Sequence, residues 1–197
     1  MCPPKHFRVD YEINVWMRKH RSVNKTEVQK QYENLKNIYQ NFGIEVLEIE
    51  QHEDLPDMVY AANYGFVYKN IFVRANFKHD ERKKEAELAA DYMKNLGYEV
   101  RILPENLTFE GQGDLFYCEG KFYSGYGFRT KIETIKELEE IFEQEIVALK
   151  LVDPRWYHCD TCFLPLGQKR VMIAPEAFDK ESLEKIHTDF DEVIECT

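Results

Sequence analysis

Four stretches of the chain carry apolar residues at the three- and four-residue spacing of an amphipathic helix. The first has an apolar face made of five side chains: Val28, Tyr32, Leu35, Ile38 and Tyr39. Gly43 and Gly97 stand where helix C-caps belong, so they mark the ends of the first two helices. The pattern therefore predicts helices over residues 26–42, 80–96, 132–142 and 180–187.

Segments rich in β-branched and aromatic residues follow each helix and predict strands. They cover residues 44–49, 98–103, 146–152 and 193–196. Further strand-like pieces precede the later helices, at 58–68, 71–75, 114–123, 162–165 and 170–174. The helices begin about fifty residues apart, which favours an array of mixed α/β units over one doubly wound sheet. Since no linker or change in composition divides the chain, we expect a single domain over residues 1–197.

Composition and charge exclude several classes of function. Hydrophobic residues make up 44% of the chain, enough for a packed core, so a disordered protein is excluded. Acidic residues outnumber basic ones, 36 to 26, and the resulting net charge of −10 argues against a nucleic-acid partner. No apolar run approaches the roughly 20 residues of a membrane span. Five scattered cysteines fit reduced thiols in the cytoplasm better than a disulfide framework.

A Cys-x-x-Cys motif, Cys159 to Cys162, directly follows His158 and raises the question of zinc or redox chemistry. One such pair cannot close a tetrahedral zinc site, and the chain has no second pair. A thioredoxin-type motif opens a helix, whereas this one lies in a strand-like run. We therefore expect no metal. In a strand, His158, Asp160 and Cys162 would share one face, with Cys159 pointing away.

Three further motifs offer polar groups, although each is weak alone. Asp57 and Asn63 flank an apolar segment, where both could equally be turn residues. Residues 109–114 form an acidic, glycine-bracketed loop that could equally be an ordinary hairpin turn. Arg129 follows small residues and could clamp a carboxylate.

The order of these motifs resembles that of the amidinotransferase-like penteins. The resemblance rests on residues 1–17, on Asp57 and Asn63, on the loops 109–114 and 125–130, and on residues 152–163. This superfamily includes dimethylarginine dimethylaminohydrolases, arginine deiminases and arginine:glycine amidinotransferases. The resemblance implies an α/β propeller of five ββαβ units around a pseudo-fivefold axis, with the site at its centre. The four predicted helices account for about four of the five units.

The resemblance also implies a chemistry and a role for particular residues. In such enzymes a cysteine thiolate attacks the guanidinium carbon, and a covalent thiouronium intermediate is then hydrolysed or transferred to an amine. His158 matches the catalytic acid and base. Asp57 and Glu110 match the carboxylates that grip the guanidinium, with Glu110 also orienting His158. Arg82 and Arg129 match the arginines that hold the substrate carboxylate. No cofactor takes part.

Two residues indicate a branch of the superfamily. Asn63 stands where dimethylarginine hydrolases carry an acid, and Asn14 lies in the opening motif. Both resemble the arginine dihydrolases, which remove both terminal nitrogens and release ammonia and ornithine. An amide donates as well as accepts, so Asn63 could hold the ureido intermediate for a second round. We expect arginine or a related guanidino compound as the substrate.

The family's nucleophilic cysteine has no match in this chain. It lies in the last unit, on the order of fifty residues beyond Thr197, and none of the five cysteines fits. We therefore expect this chain alone to be inactive. It could be a truncated or frameshifted product, it could receive the fifth unit from a separate C-terminal chain, or it could be a non-catalytic remnant that binds guanidino ligands or a partner. An open ring would also expose apolar surface, which predicts a complementary chain or a homo-oligomer.

Overall fold

The computed structural model describes residues 1–19 and 21–196. Its four helices confirm the predicted ones to within about two residues. They are α1 (Lys25–Asn41), α2 (Asp80–Asn95), α3 (Ile132–Phe142) and α4 (Lys180–Asp189). Asn24 and Asp179 cap α1 and α4 by accepting a backbone hydrogen bond from Glu27 and Ser182. Gly43 and Gly97 follow the first two helices with φ of 75° and 92°, the left-handed values that favour glycine.

Three copies of one ββαβ unit make up most of the molecule. The strands are β1 (Gly65–Tyr68), β2 (Ile71–Arg74), β3 (Glu99–Arg101), β4 (Leu115–Cys118), β5 (Lys121–Tyr126), β6 (Ile146–Lys150), β7 (Phe163–Gly167), β8 (Arg170–Ile173) and β9 (Glu192–Glu195). In each sheet the first two strands form an antiparallel hairpin, and the third runs parallel to the second after a crossover helix. The predicted fold class, an α/β propeller of repeated units, is confirmed.

The first predicted unit contributes a helix without a sheet in the part of the chain that the structure describes. Residues 44–49 do not form the predicted strand. This segment makes only two backbone contacts with the start of the chain: Ile49 N–H donates to the Met1 carbonyl at 3.0 Å, and the Met1 amine donates to the Leu47 carbonyl at 2.6 Å. Two isolated bonds do not make a ladder, and among residues 1–19 and 21–24 no strand extends them.

Short 3-10 helices replace two other predicted strand segments. Residues 58–64 belong to the 3-10 helices Pro56–Val59 and Ala61–Tyr64, so the predicted strand begins only at Gly65. Pro56 opens the first of them, since its fixed φ suits a tight turn and its missing N–H suits a helix start. Cys159–Thr161 is likewise a 3-10 helix, so the expected alternation of faces between His158 and Cys162 was wrong.

Three of these short helices meet at the centre of the molecule. Ala61–Tyr64, Gly111–Gly113 and Cys159–Thr161, called here the central 3-10 helices, each stand directly before the first strand of a unit. The sheets behind them share aromatic cores, such as Phe122 stacked on Phe142 with ring centroids 5.2 Å apart. The repeat of ββαβ units therefore places equivalent turns side by side.

Candidate active site

The central 3-10 helices of three units supply three buried polar side chains. Asn63 lies within the first central 3-10 helix, whereas Glu110 and His158 are the N-cap residues of the second and third. Their exposed fractions are 6%, 0% and 4%. Three segments far apart in sequence thus bring an amide, a carboxylate and an imidazole together.

His158 lies between two carboxylates. Its Nδ1 is 3.2 Å from Asp114 Oδ1, and its Nε2 is 3.1 Å from Glu110 Oε2. Asp114 is held in turn, since it accepts hydrogen bonds from the Cys159 N–H at 3.1 Å and the Thr130 hydroxyl at 2.7 Å. These bonds fix the imidazole ring in one orientation. Asp114 lies in the predicted acidic loop, but no role was predicted for it.

The same contacts set the charges of this group. Burial alone would lower the pKa of His158, but Asp114 and then Glu110 outweigh it and raise the pKa to about 9. Burial alone would raise the pKa of Glu110, but His158 and Arg129 outweigh it and lower the pKa to about 2. At neutral pH the unliganded site therefore holds an imidazolium beside a carboxylate, which makes His158 a proton donor.

Arg129 connects this centre to the N-terminal segment. Its Nη1 donates to Glu110 Oε2 at 2.8 Å, and its Nη2 donates to the Ile13 carbonyl at 2.8 Å. The guanidinium carbon lies 4.7 Å from the centroid of the Tyr157 ring. Asn14 joins at this edge, because its Nδ2 donates to the Tyr157 hydroxyl at 3.2 Å.

Arg82 holds the opposite side of the centre. Its Nη1 donates to Asn63 Oδ1 at 3.1 Å, and its Nη2 donates to the main-chain carbonyl of Asp57 at 3.3 Å. Arg82 also forms an ion pair with Glu85, three residues further along α2. No role was predicted for Glu85, although the i, i+3 spacing of opposite charges on a helix was a usable signal.

The carboxyl of Asp57 is buried next to Arg82 and Tyr11. Burial raises the pKa of Asp57, and the Arg82 guanidinium partly offsets that rise. The Tyr11 hydroxyl is buried too, and it has no hydrogen-bond partner within geometric limits among the described residues. Its own pKa is raised by burial and by the nearby Asp57 charge.

All seven predicted site residues therefore lie in one connected region. Four of them form a core around Glu110: its carbonyl accepts from Asn63 Nδ2, and its carboxylate contacts both Arg129 and His158. Arg82 is hydrogen-bonded to Asn63, and the main-chain carbonyl of Asp57 is hydrogen-bonded to Arg82. Asn14 is hydrogen-bonded to Tyr157, whose ring packs against Arg129. A cavity of about 510 Å³ reaches this region at Asn63 and Asp160. Asp160 is exposed, and the partial desolvation of its carboxyl raises its pKa to about 6.

The cysteines of the Cys-x-x-Cys motif lie behind His158. Cys159 is fully buried, and the thiol of Cys162 is hydrogen-bonded to the carbonyls of His158 and Cys159 at 3.7 and 3.5 Å. Burial raises the pKa of Cys159 well above its ordinary value. Among the described residues, no group of three or more His, Cys, Asp or Glu side chains is arranged to hold a metal ion.

Comparison with known proteins places this arrangement in a family. The family described as N,N dimethylarginine dimethylhydrolase, eukaryotic, matches residues 3–197. The bifunctional arginine dihydrolase/ornithine cyclodeaminase AgrE of Nostoc is 39% identical over 92% of this chain and 26% of its own length. The N(G),N(G)-dimethylarginine dimethylaminohydrolase of Mycobacterium tuberculosis is 38% identical over 98% of this chain and 64% of its own length.

Solved structures agree with the sequence comparison. The binary complex of an AgrE mutant with L-arginine superposes with a TM-score of 0.95 at 34% identity, covering 100% of this chain and 30% of AgrE. The chain thus spans about a quarter of the length of the bifunctional relatives. No helix of the described residues is long and apolar enough to cross a bilayer. The chain belongs to the N,N-dimethylarginine dimethylhydrolase family of the pentein superfamily, with arginine dihydrolases among its relatives.

Proposed function

We propose that this domain binds L-arginine, or a closely related guanidino compound, and supplies the acid–base group for hydrolysis of its C–N bonds. The observation that carries the proposal is the buried His158, held between Glu110 and Asp114 with Asn63 at its Nε2. An imidazole fixed on both nitrogens by carboxylates is typical of a general acid and base.

The balance of buried charge supports a cationic ligand. The region holds four buried carboxyl groups: Asp57, Glu85, Glu110 and Asp114. Against them stand the two guanidinium groups of Arg82 and Arg129 and the imidazolium of His158. The carboxyl groups outnumber the cations by one, and burial raises the pKa of Asp57, an effect that Arg82 only partly offsets. A guanidinium ligand would balance the charge of Asp57 and would give it a bidentate partner.

In the proposed mechanism a cysteine thiolate attacks the guanidinium carbon and the C–N bond to a terminal nitrogen breaks. Protonated His158 gives its proton to that leaving nitrogen. The neutral imidazole then takes a proton from the water that hydrolyses the thiouronium intermediate. Arg129 has three N–H groups without a hydrogen-bond partner among the described residues and is proposed to contact the substrate carboxylate.

The attacking thiol is not one of the four cysteines that the fold sequesters. Cys159 and Cys162 are buried behind His158. Burial raises the pKa of Cys2 and of Cys118 to about 11, so both stay protonated at neutral pH. Such thiols are poor nucleophiles. We therefore expect arginine binding by the domain to be independent of these cysteines.

Asn63 supports arginine over dimethylarginine as the ligand. Its Oδ1 accepts from Arg82, so its Nδ2 is the group that faces His158. A donor at this position suits the ureido oxygen of a half-hydrolysed substrate, which a carboxylate would repel. The structure of an AgrE mutant contains L-arginine, which is consistent with this assignment.

Isothermal titration calorimetry tests the proposed function. We expect saturable binding of L-arginine that weakens about tenfold or more in Glu110→Gln, because a hydrogen bond to a charged group is lost. Asp189→Asn is the matched control, since Asp189 bonds Lys121 and Tyr123 outside the site. A protein that binds neither L-arginine nor methylated arginines at millimolar concentration would rule the proposal out.

A second function, binding without turnover, is favoured by the four sequestered thiols. Ammonia and citrulline release distinguishes the two. A chain that binds L-arginine and releases neither product acts as a binding protein. Steady release that survives replacement of all five cysteines by serine would contradict the thiol mechanism instead, and release abolished by Cys162→Ser alone would assign the nucleophile to Cys162.

A further inference from the structure

Glu85 on α2 is a fully buried acidic residue to which the proposed mechanism gives no role. Its exposed fraction is 0%. Its Oε2 accepts two hydrogen bonds from Arg82, from Nε at 3.0 Å and from Nη2 at 2.8 Å. Because Nε and Nη2 both point at this one oxygen, the position of the Glu85 carboxylate restricts the orientation of the guanidinium.

The orientation of Arg82 decides where its other N–H groups point. Nη1 donates to Asn63 Oδ1 at 3.1 Å, while Nη2 reaches the carbonyls of Asp57 and Tyr60 at 3.3 and 3.4 Å. The guanidinium also lies over the Phe77 ring, 4.4 Å from its centroid. Arg82 thereby fastens α2 to the two short helices that carry Asp57 and Asn63.

An arginine can only donate hydrogen bonds, so it selects one of the two orientations of the Asn63 amide. The oxygen faces Arg82, and Nδ2 is turned toward His158 Nε2, 3.4 Å away, and toward the Glu110 carbonyl at 3.4 Å. Without Arg82, the contact of Nδ2 with the Glu110 carbonyl would remain to oppose the amide turning its oxygen to the His158 imidazolium, and at 3.4 Å that contact is long.

We propose that Glu85 is a positioning residue of the candidate active site, which orients the Asn63 amide toward His158 by fixing Arg82. The proposal rests on the proposed function for its effect on ligand binding. Cancelling the charge of Arg82 is the alternative role for Glu85. A carboxylate that only cancels the charge of Arg82 can do so from several positions. A carboxylate that orients Asn63 must hold Arg82 from one particular position.

The second carboxylate oxygen separates these two roles. Glu85 Oε1 is buried and has no hydrogen-bond partner among the described residues, an arrangement that costs stability. Burial also raises the pKa of Glu85 to about 7, and Arg82 offsets only part of that effect. A carboxylate kept for stability alone would be better satisfied. In Glu85, by contrast, one oxygen accepts both hydrogen bonds from Arg82 and the other oxygen accepts none from the described residues.

Glu85→Asp is the decisive variant, because it keeps the charge and withdraws the carboxylate by one methylene. In the ligand-free protein, we expect the NMR signals of the Asn63 side-chain amide and of His158 Nε2 to move. We also expect L-arginine to bind about tenfold more weakly or worse. Asp189→Glu changes a carboxylate that bonds Lys121 and Tyr123 outside the site, and it should move neither signal nor affinity.

A folded Glu85→Asp protein with unchanged Asn63 signals and unchanged affinity would overturn the proposal. If that variant does not fold, the double variant Arg82→Gln/Glu85→Gln removes both charges of this pair together and tests the same point. If the NMR signals of the Asn63 amide in the double variant stayed where they are in the unaltered protein, the proposed role of Glu85 would also be overturned. Failure of the unaltered protein to bind L-arginine would refute the proposed function, whereas the ligand-free NMR comparison would still decide the role of Glu85.

Discussion

At the scale of single residues, two carboxylates on opposite sides of one imidazole determine the chemistry of the site. The attraction between the His158 imidazolium and the Glu110 carboxylate both raises the pKa of His158 and lowers the pKa of Glu110. Asp114 adds to it from the other nitrogen of the ring. The imidazolium is thus stabilised from both nitrogens, and a ligand that displaced Glu110 from His158 would lower the pKa of His158.

This coupling predicts how stability changes with pH. The folded pKa of His158, about 9, lies above the ordinary value of 6.5, so its contribution is fully present below pH 6.5. That contribution disappears as the pH rises through about 9. It amounts to roughly 3 kcal/mol, since one pKa unit corresponds to about 1.4 kcal/mol. Urea unfolding at several pH values, compared between the protein and His158→Gln, measures it.

The difference in unfolding free energy between the two proteins should shrink across that interval. Glu110 gives the opposite dependence, since its contribution is present above pH 4.5 and is lost as the pH falls through about 2. A difference that stays constant from pH 6 to pH 10 would show that His158 is neutral in the folded protein.

Asp114→Asn is expected to lower the pKa of His158 by about one unit or more, because it removes the larger of the two attractive charges. Titration of the His158 ring signals by NMR measures the change. Asp160→Asn is the matched control, an acidic residue two positions from His158 that makes no hydrogen bond to the ring. Equal shifts in the two variants would mean that Asp114 acts only as a distant charge.

At the scale of elements, the site depends on close packing between the central 3-10 helices. A Cβ on Gly113 would overlap Asn63 Nδ2 and lie 3.0 Å from His158 Nδ1. The absence of a side chain there lets the amide and the imidazole approach each other across the second helix.

Gly113→Ala should therefore displace Asn63 or His158. We expect about 1–3 kcal/mol of lost stability from overpacking and a clear shift of the Asn63 amide signals. Gly97→Ala is the comparison, since its Cβ would meet nothing within 4 Å while its φ of 92° is strained for alanine. That variant should lose about 1–2 kcal/mol of stability with unchanged Asn63 signals. Unmoved signals in Gly113→Ala would show that the site tolerates a looser turn.

The elements also show what the sequence could predict. Helix α3 was predicted with its observed bounds, because Ile135, Leu138 and Phe142 mark one buried face. The segment around Cys159 was not, because its turn depends on Asp114, which binds the Cys159 N–H from another unit. His158 and Glu110 were found through motif order. Glu85 was missed because its contact with Arg82 bears on the site only through Asn63, which lies 19 residues before Arg82 in the chain.

At the scale of the whole molecule, α1 differs from the other helices. It has no buried residue, whereas α2, α3 and α4 each bury part of one face against a sheet. The apolar residues that α1 and the following segment leave exposed are Leu35, Ile38, Tyr39, Phe42, Ile44 and Leu47. In the last unit, Leu164 and Leu166 on β7 are exposed as well.

Apolar patches of this kind mark interaction surfaces or aggregation hazards. We therefore expect the protein to associate at micromolar concentration, through the face of α1 and the exposed side of β7. Light scattering and sedimentation measure this. The double variant Ile38→Ser/Phe42→Ser removes two of the most exposed apolar groups, at 51% and 79% exposure, so it should shift the population toward monomer. Neither residue is buried, so the fold should persist. A stable, monodisperse monomer of the unaltered protein would contradict the prediction, and it would mean that α1 folds its apolar face against the rest of the chain.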